Sequence, residues 1–313
     1  MADSNPANST TIIFVLMGLP NTPLLRYISL GAFLSIYLMT LVGNFAILIA
    51  IVSDARLHTP MYFFLANLSL VELCYTNVTL PNILNNIVRQ SDMISFQACI
   101  CQVYLFTFCV TVECVLLAIM AYDRYAAICI PLRYRIIMNQ AVCLQLASTT
   151  WIAGILNAII HSIPTSLLPY SGVNKVDRLY CEVQPLIQLS CSDTSLNKML
   201  TTLSALLFGV GLMTYILVTY VFIISAILRI PSSSGRLKAF STCSSHITVV
   251  LMYYGALIFM YLKPTSRDVR KMDSVISAMY CMAIPVLNPI IYSLRNNDVK
   301  LSIRKFLTLK RFT

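Results

Sequence analysis

Between Met120 and Cys129 the chain reads MAYDRYAAIC, an acid and a base side by side followed by a tyrosine, at the end of an apolar stretch that begins near Cys99. A guanidinium at a membrane boundary is costly unless it has a partner or a task, so Asp123, Arg124 and Tyr125 are the first residues expected to act. Their chemistry is that of a charge held and then released. Upstream in the same stretch, Glu113 falls on the helical face of Arg124, about 16 Å away, and Gln102, Phe106 and Val110 continue that line outward. A carboxylate at mid-depth costs about 3 kcal/mol or more on insertion scales, so intramembrane acids are more often functional than incidental. PVLNPIIY supplies a second device: Pro289 has no N–H for the carbonyl of Pro285, and Asn288 and Tyr292 lie one turn apart on one face. A lone proline kink is widely tolerated in membrane helices. Joined to Asp123-Arg124-Tyr125, it points to a helix that bends at a defined place.

Catalytic alternatives lack their residues. An intramembrane enzyme using Asp123 would need a second Asp in a Gly-rich motif, and neither G-x-S-x-G nor H-E-x-x-H occurs. No C-x-x-C appears, and His58, His161 and His246 are far apart in sequence, so no metal site is expected. A transporter using Glu72 and Glu113 as an ion relay would be expected to show an internal repeat or paired broken helices, which the sequence lacks.

The elements that must position these residues are set by composition. Hydrophobic residues make up 58%, mean hydropathy is +0.77, and 11% of residues are charged, against roughly 25% in an average soluble domain. Apolar runs of about 20 residues number seven, roughly 27 to 52, 61 to 84, 99 to 122, 142 to 167, 199 to 228, 239 to 262 and 274 to 294, each long enough to cross a hydrocarbon layer. They are continuously apolar, without the alternation of barrel strands, so the expected fold is all-α, a seven-transmembrane helix bundle. No linker, repeat or low-complexity stretch divides the chain. Residues 1–313 are therefore read as one domain, with a tail over 1–26, the bundle over 27–294 and a second tail over 295–313.

Charge orients the bundle. With the C-terminus inside, the inner segments hold Arg56, Arg124, Arg133, Arg135, Arg229, Arg236, Lys238, Arg295, Lys300, Arg304, Lys305, Lys310 and Arg311 against Asp54, Asp123 and Asp298, whereas the outer segments are nearly balanced. The N-terminus is then outside. The first eleven residues are polar without a basic region, so the first apolar run is expected to direct insertion. The sequon at Asn8 would face the secretory lumen and accept a glycan, whereas matches at Asn67 and Asn77 fall inside the second run and are expected to be chance. The basic surplus does not mark a nucleic-acid binder, because it sits in short loops and in Val299 to Phe312, where Leu301, Phe306, Leu307 and Leu309 alternate with Lys and Arg. That pattern suits an amphipathic helix on the anionic inner leaflet.

Of eleven cysteines, Cys74, Cys109, Cys114, Cys143, Cys243 and Cys281 lie in apolar runs, where a thiol behaves as a small hydrophobe. Cys99, Cys101, Cys181 and Cys191 lie on the outer side, where disulfides survive. A bond from Cys99 to Cys181 would pin the long loop of roughly 168 to 198 over the bundle.

These blocks together carry a resemblance. Gly43-Asn44, LHTPMYFFLANLS from Leu57, MAYDRYAAIC, KAFSTCSSH from Lys238 and PVLNPIIYSLRN from Pro285 are similar to those of olfactory (odorant) receptors of the rhodopsin-like, class A G-protein-coupled receptor family, over nearly the whole chain. The resemblance implies a receptor for a small volatile odorant that activates a stimulatory, olfactory-type G protein to raise cAMP, at the plasma membrane of olfactory cilia. The alternatives are a non-olfactory class A receptor for another small ligand and, further off, an ion-coupled transporter. Carried over residue by residue, Arg124 becomes the switch, held by Asp123 at rest, and Tyr220 and Tyr292 the tyrosines that swing in at the open inner end. Asn44, Glu72, Glu113 and Asn288 become a polar core able to hold sodium or water. Trp151 is the usual fourth-helix tryptophan, and Cys99 and Cys181 match the family disulfide.

Two departures stand out. Glu72 replaces the usual Asp, placing an extra methylene in the polar core, and Ser171 stands where the long loop usually has a Cys, so Cys191 either pairs with Cys101 or stays free. The family pocket maps to Phe106, Thr107, Val110 and Thr111, to Ser204 and Phe208, to Tyr254, Leu257, Ile258 and Tyr261, and to Ala278 and Cys281. It is mostly apolar with a few hydroxyls and suits a weakly polar molecule better than a charged amine. His161, near the outer end of the fourth run, is expected to pack rather than to bind. Epitope tags on both ends, stained in intact and in permeabilised cells, test the crossing number: the N-terminal tag alone is expected to stain without permeabilisation, and two tags on one side would overturn seven crossings.

Overall fold

The computed structural model describes residues 12–18, 22–171, 173–261, 284–291 and 299–302, apart from the side chains of 173, 238, 242, 256 and 258–261. Five described helices are long and apolar enough to cross a membrane: α1 (Pro23–Ser53), α2 (Pro60–Arg89), α3 (Phe96–Cys129), α5 (Gln140–Ser166), and the continuous stretch Ser195–Leu228 made of α7 (Ser195–Ser204), a π-helical segment (Ala205–Gly211) and α8 (Leu212–Leu228). They occupy the first five apolar runs. The short α4 (Tyr134–Ile137) and α6 (Val183–Leu189) lie in connections, and α9 (Ser233–Tyr261) covers the sixth run. Of the seventh run the helical residues 284–291 are described; Asn8, Ala278, Cys281, Tyr292 and the tail beyond Ser302 lie outside the described residues.

Local chemistry places the helix ends. Prolines start α1 and α2, where a missing N–H costs nothing. Ser95 caps α3 by accepting from the N–H of Ala98 at 3.3 Å, and Asn139 caps α5 by accepting from that of Val142 at 3.0 Å. α2 passes through Pro81 and stops at Gln90, whose φ of 51° is left-handed. The helices overrun the apolar runs because backbone pairing continues into polar ends: α2 continues to Arg89, and α3 carries Asp123-Arg124-Tyr125 in its last turns rather than beyond its end.

α3 lies at the centre and packs on α2, α5, α8 and α9. More than half of the most apolar window of α2 and of α3 is buried, whereas α1 and Ser195–Leu228 turn most of theirs outward, with Leu206, Val210, Val218 and Phe222 exposed where lipid would lie. Close approach of α5 to α3 rests on Gly154, against whose bare Cα lie Val112 and, at 3.0 Å from an ideal Cβ position, Phe108. Trp151 Nε1 donates to Asn67 Oδ1 at 2.9 Å, and Tyr37 donates to Asn77 Oδ1 at 2.8 Å, so both intramembrane sequon matches are used in bonds between helices.

The all-α expectation needs one correction. β1 (Ile13–Leu16) pairs antiparallel with β2 (Met93–Ser95) and parallel with β3 (Val173–Val176), making a three-stranded sheet in the order β2-β1-β3 over the outer end. Each strand is too short to show a period of its own and forms because the other two are held beside it. Phe14, Leu16, Ile94, Val103, Tyr170, Val176 and Leu186 bury beneath it around the Cys99–Cys181 disulfide. Gln102 ties that cluster to the bundle by accepting from the N–H of Cys181 at 2.8 Å and donating to the carbonyl of Val78 at 2.9 Å. Tyr170 donates to the carbonyl of Thr165 at 2.9 Å, and burial pushes its phenol up to about 12, so this bond is unaffected by physiological pH. Cys101 and Cys191 are both free and exposed.

Gly154→Ala places a methyl group into Val112 and Phe108. It is expected to lower the thermal unfolding midpoint of detergent-solubilised protein, at a cost of about 1–3 kcal/mol. Gly31→Ala, in the interior of α1 with nothing within 4 Å of the added carbon, should not lower the midpoint, because alanine favours the helix.

Candidate functional site

Three tiers lie along α3. The outermost is a cavity of about 280 Å³. Its wall is mostly apolar: Phe106 and Val110 from α3, Phe208 from the π-helical segment, Met213 from α8 and Leu257 from α9. Thr107 and Thr111, Ser204 and Tyr254 also line it, so every expected pocket residue whose side chain is described is present. The side chains of Ile258 and Tyr261, like Ala278 and Cys281, fall outside the described residues. Sequence reasoning missed Asn157 and His161 from α5, Thr201 from α7, Cys114 from α3, and Glu182, Val183 and Gln184, which cover the cavity from the loop and α6. Asn157 and His161 stand one turn apart on one face of α5, and that spacing was the available signal. His161, expected to pack rather than to bind, is buried with its Nε2 2.8 Å from Ser204 Oγ, and it is among the residues that line the cavity. Glu182 at the mouth lies 3.9 Å from Arg178.

The middle tier is the polar core. Asn288 donates from Nδ2 to Glu72 Oε1, the Glu72 and Glu113 carboxyls interact directly, and Asn44 donates to the carbonyls of Thr40 at 3.1 Å and Pro285 at 3.4 Å. Pro285 is the residue whose carbonyl Pro289 leaves unanswered, so the amide of α1 fills the gap made by the proline. Asn288 and Pro289 are both buried, and Pro289 rests on Gly43. Glu72 Oε2, Glu113 Oε1 and Asn288 Oδ1 are sealed from solvent without a hydrogen-bond partner among the described residues. Three such oxygens on two acids and an amide are the donor set a hard monovalent cation or a water would satisfy.

The inner tier departs from the expected resting pair. Asp123 accepts from the hydroxyl of Tyr134 at 2.7 Å, and it forms no ion pair with Arg124 among the described residues. Consecutive residues lie about 100° apart around a helix, so Asp123 faces α4 while Arg124 turns inward towards α9, 8% exposed and with its Nε unpartnered among the described residues. Burial first, and then the neighbouring carboxylate, push the Tyr134 phenol above its ordinary value, which keeps it a donor. Nothing in the sequence spacing pointed to Tyr134. Tyr125 packs edge-on against Phe222 at 6.3 Å.

Tyr220 is held by His246, a residue of the KAFSTCSSH block. His246 is fully buried; its Nε2 lies 3.1 Å from the carbonyl of Leu117, which only accepts, so Nε2 carries the proton and Nδ1 receives the Tyr220 hydroxyl at 2.8 Å. The two rings also stack. Higher on α9, Tyr253 donates to the carbonyl of Val110 at 3.0 Å and touches Cys114 Sγ at 3.3 Å. α9 is thus fastened to α3 twice, once beside the cavity and once near Arg124.

A family model described as olfactory receptor matches residues 33–310. The chain is 45% identical to olfactory receptor 8U9 of Mus musculus over 95% of both chains. It is 44% identical to olfactory receptor 5AP2 of Mus musculus, over 96% of this chain and 95% of the relative. It is also 44% identical to olfactory receptor 2G3 of Homo sapiens, over 96% of this chain and 98% of the relative.

His246→Phe keeps a ring but removes the nearer acceptor of the Tyr220 hydroxyl and leaves it the carbonyl of Cys243 at 3.4 Å. Thermal unfolding in detergent should report a loss of about 0.5–1.5 kcal/mol, the range for one net hydrogen bond; an unchanged midpoint would show that the contact contributes nothing to the resting state.

Proposed function

The chain belongs to the olfactory receptor family, a family of receptors rather than enzymes, and from that premise we propose that it binds a small, volatile, weakly polar odorant in the outer cavity and activates a stimulatory, olfactory-type G protein to raise cAMP. The observation that carries this reading is the placement of the cavity on the two helices, α3 and α9, whose inner ends hold Arg124 and His246. A ligand of about ten heavy atoms at roughly 0.6 to 0.8 kcal/mol each binds with about −6 to −8 kcal/mol, in the micromolar range or somewhat weaker. Activation then requires that the ligand favour the open bundle over the closed one. Contacts at Tyr254 that tilt α9 outward strain its attachments at Val110 and Leu117, freeing Tyr220 and uncovering Arg124 for the G protein.

The same reading makes residues 1–313 one seven-crossing domain, with the N-terminus and a glycan on Asn8 outside, the C-terminal amphipathic segment on the inner leaflet, and Tyr292 joining Tyr220 in the open state. The multi-pass chain sits in the plasma membrane of olfactory cilia. Sodium fits the polar core, where Glu72, Glu113 and Asn288 would hold it and its charge would offset the carboxylates.

Cells expressing the full chain with a cAMP reporter, screened against volatile compounds, test the proposal. At least one compound should raise cAMP, and Arg124→Ala should abolish that rise with surface expression intact. Responses to peptides alone would overturn it.

A further inference from the structure

Four polar side chains on three helices form a chain of hydrogen bonds along the wall of the outer cavity. Thr111 Oγ1 donates to the carbonyl of Thr107 at 2.8 Å and accepts from Asn157 Nδ2 at 2.9 Å. Ser204 Oγ donates to Asn157 Oδ1 at 2.8 Å, and His161 Nε2 lies 2.8 Å from that same Ser204 oxygen.

A hydroxyl has one proton, and Ser204 spends its proton on Asn157, so His161 Nε2 must be the donor to Ser204. The neutral ring then carries a bare lone pair on Nδ1. Reversing every bond in the chain would turn the Asn157 amide over and redirect the Thr111 proton from Thr107 to Asn157. That polarity makes three hydrogen bonds where the observed one makes four, so the observed direction is preferred. His161 lines the cavity, and Nδ1, which has no hydrogen-bond partner among the described residues, is not sealed away from it.

The Tyr254 hydroxyl is sealed from solvent although the residue lines the cavity, so it offers a ligand oxygen no open donor. An ether, a ketone or any other pure acceptor brings no proton to His161 Nδ1, whereas a ligand hydroxyl supplies one.

Resting on the odorant-receptor reading, we propose that the Thr111–Asn157–Ser204–His161 relay locks His161 as an acceptor and makes this receptor selective for small alcohols and phenols over ethers, ketones and hydrocarbons of the same size. The apolar skeleton lies against Phe106, Val110, Phe208 and Leu257, and the hydroxyl points to α5. His161 acts by contact with the ligand; Ser204, Asn157 and Thr111 position its proton.

The test uses the full chain purified in lipid nanodiscs and four probes of equal heavy-atom count: octan-1-ol, heptyl methyl ether, octan-2-one and nonane. Ligand-induced thermal stabilisation gives an apparent Kd for each. The alcohol should bind about 3- to 10-fold tighter than the ether or ketone, the worth of one net hydrogen bond. His161→Phe should erase that preference while keeping affinity for nonane. Ser204→Ala frees the imidazole to place its proton on either nitrogen, so the ketone should gain on the alcohol; a purely structural serine would not change that ratio, and this milder variant carries the test alone if His161→Phe fails to fold. Equal affinities in the unaltered chain, a preference that survives both variants, or no stabilisation by any probe would each overturn the proposal. A cAMP assay on the same panel separates the two readings: alcohol-selective binding without a cAMP rise leaves the relay standing and removes the signalling role.

Discussion

Hydrocarbon offers no hydrogen bonds, so each polar group that α3 carries across the membrane must be answered by another part of the protein. The answers are specific. Gln102 meets Val78 and the backbone of Cys181, Thr111 meets Asn157, Glu113 meets Glu72, the carbonyl of Leu117 meets His246, and Asp123 meets Tyr134. Each pair fixes the rotation of a neighbouring helix about its own axis, which apolar packing against lipid-like surroundings does weakly. The faces turned towards α3 by these pairs then create the outer cavity, the polar core and the inner rim.

That arrangement separates α9 from the other partners of α3. α2 and α5 meet α3 along extended contacts, with Gly154 allowing α5 close approach, whereas α9 is fastened to it through Tyr253 and His246. Seven residues, about two turns or 10 Å, separate those attachments. A helix held at few points is the one that changes position when a contact at one end is altered, and Tyr254, beside the upper attachment, lines the cavity. The departure of Asp123 from Arg124 has the same consequence at the inner end: the buried guanidinium makes no ion pair among the described residues, so none of those has to be broken for it to be exposed.

The outer cap shows a different economy. A strand of four residues has no independent stability, and β1 persists because β2 and β3 are anchored by α3 and by the disulfide on either side of it. The loop and α6 cover the cavity through Glu182, Val183 and Gln184, and the polar relay across α3, α5 and α7 is thereby placed in surroundings where an unmet hydrogen bond matters more than it would in solvent.

Hydropathy alone determined that the chain is helical and crosses a membrane, because runs of that length and polarity have no other low-energy solution in lipid. Motif spacing determined Asp123, Arg124, Glu113 and Asn288 and, on the cavity face of α3, Phe106 and Val110, because helical periodicity is a local property. Tertiary structure decided what those groups bond to. Tyr134 meets Asp123 across a loop, His161 meets Ser204 across two helices, and Ile13–Leu16 finds strand partners about eighty and one hundred and sixty residues away. Such partners depend on how helices are rotated and loops are folded in three dimensions, and a rotation of one helix by a fraction of a turn exchanges one partner for another without altering any local periodicity.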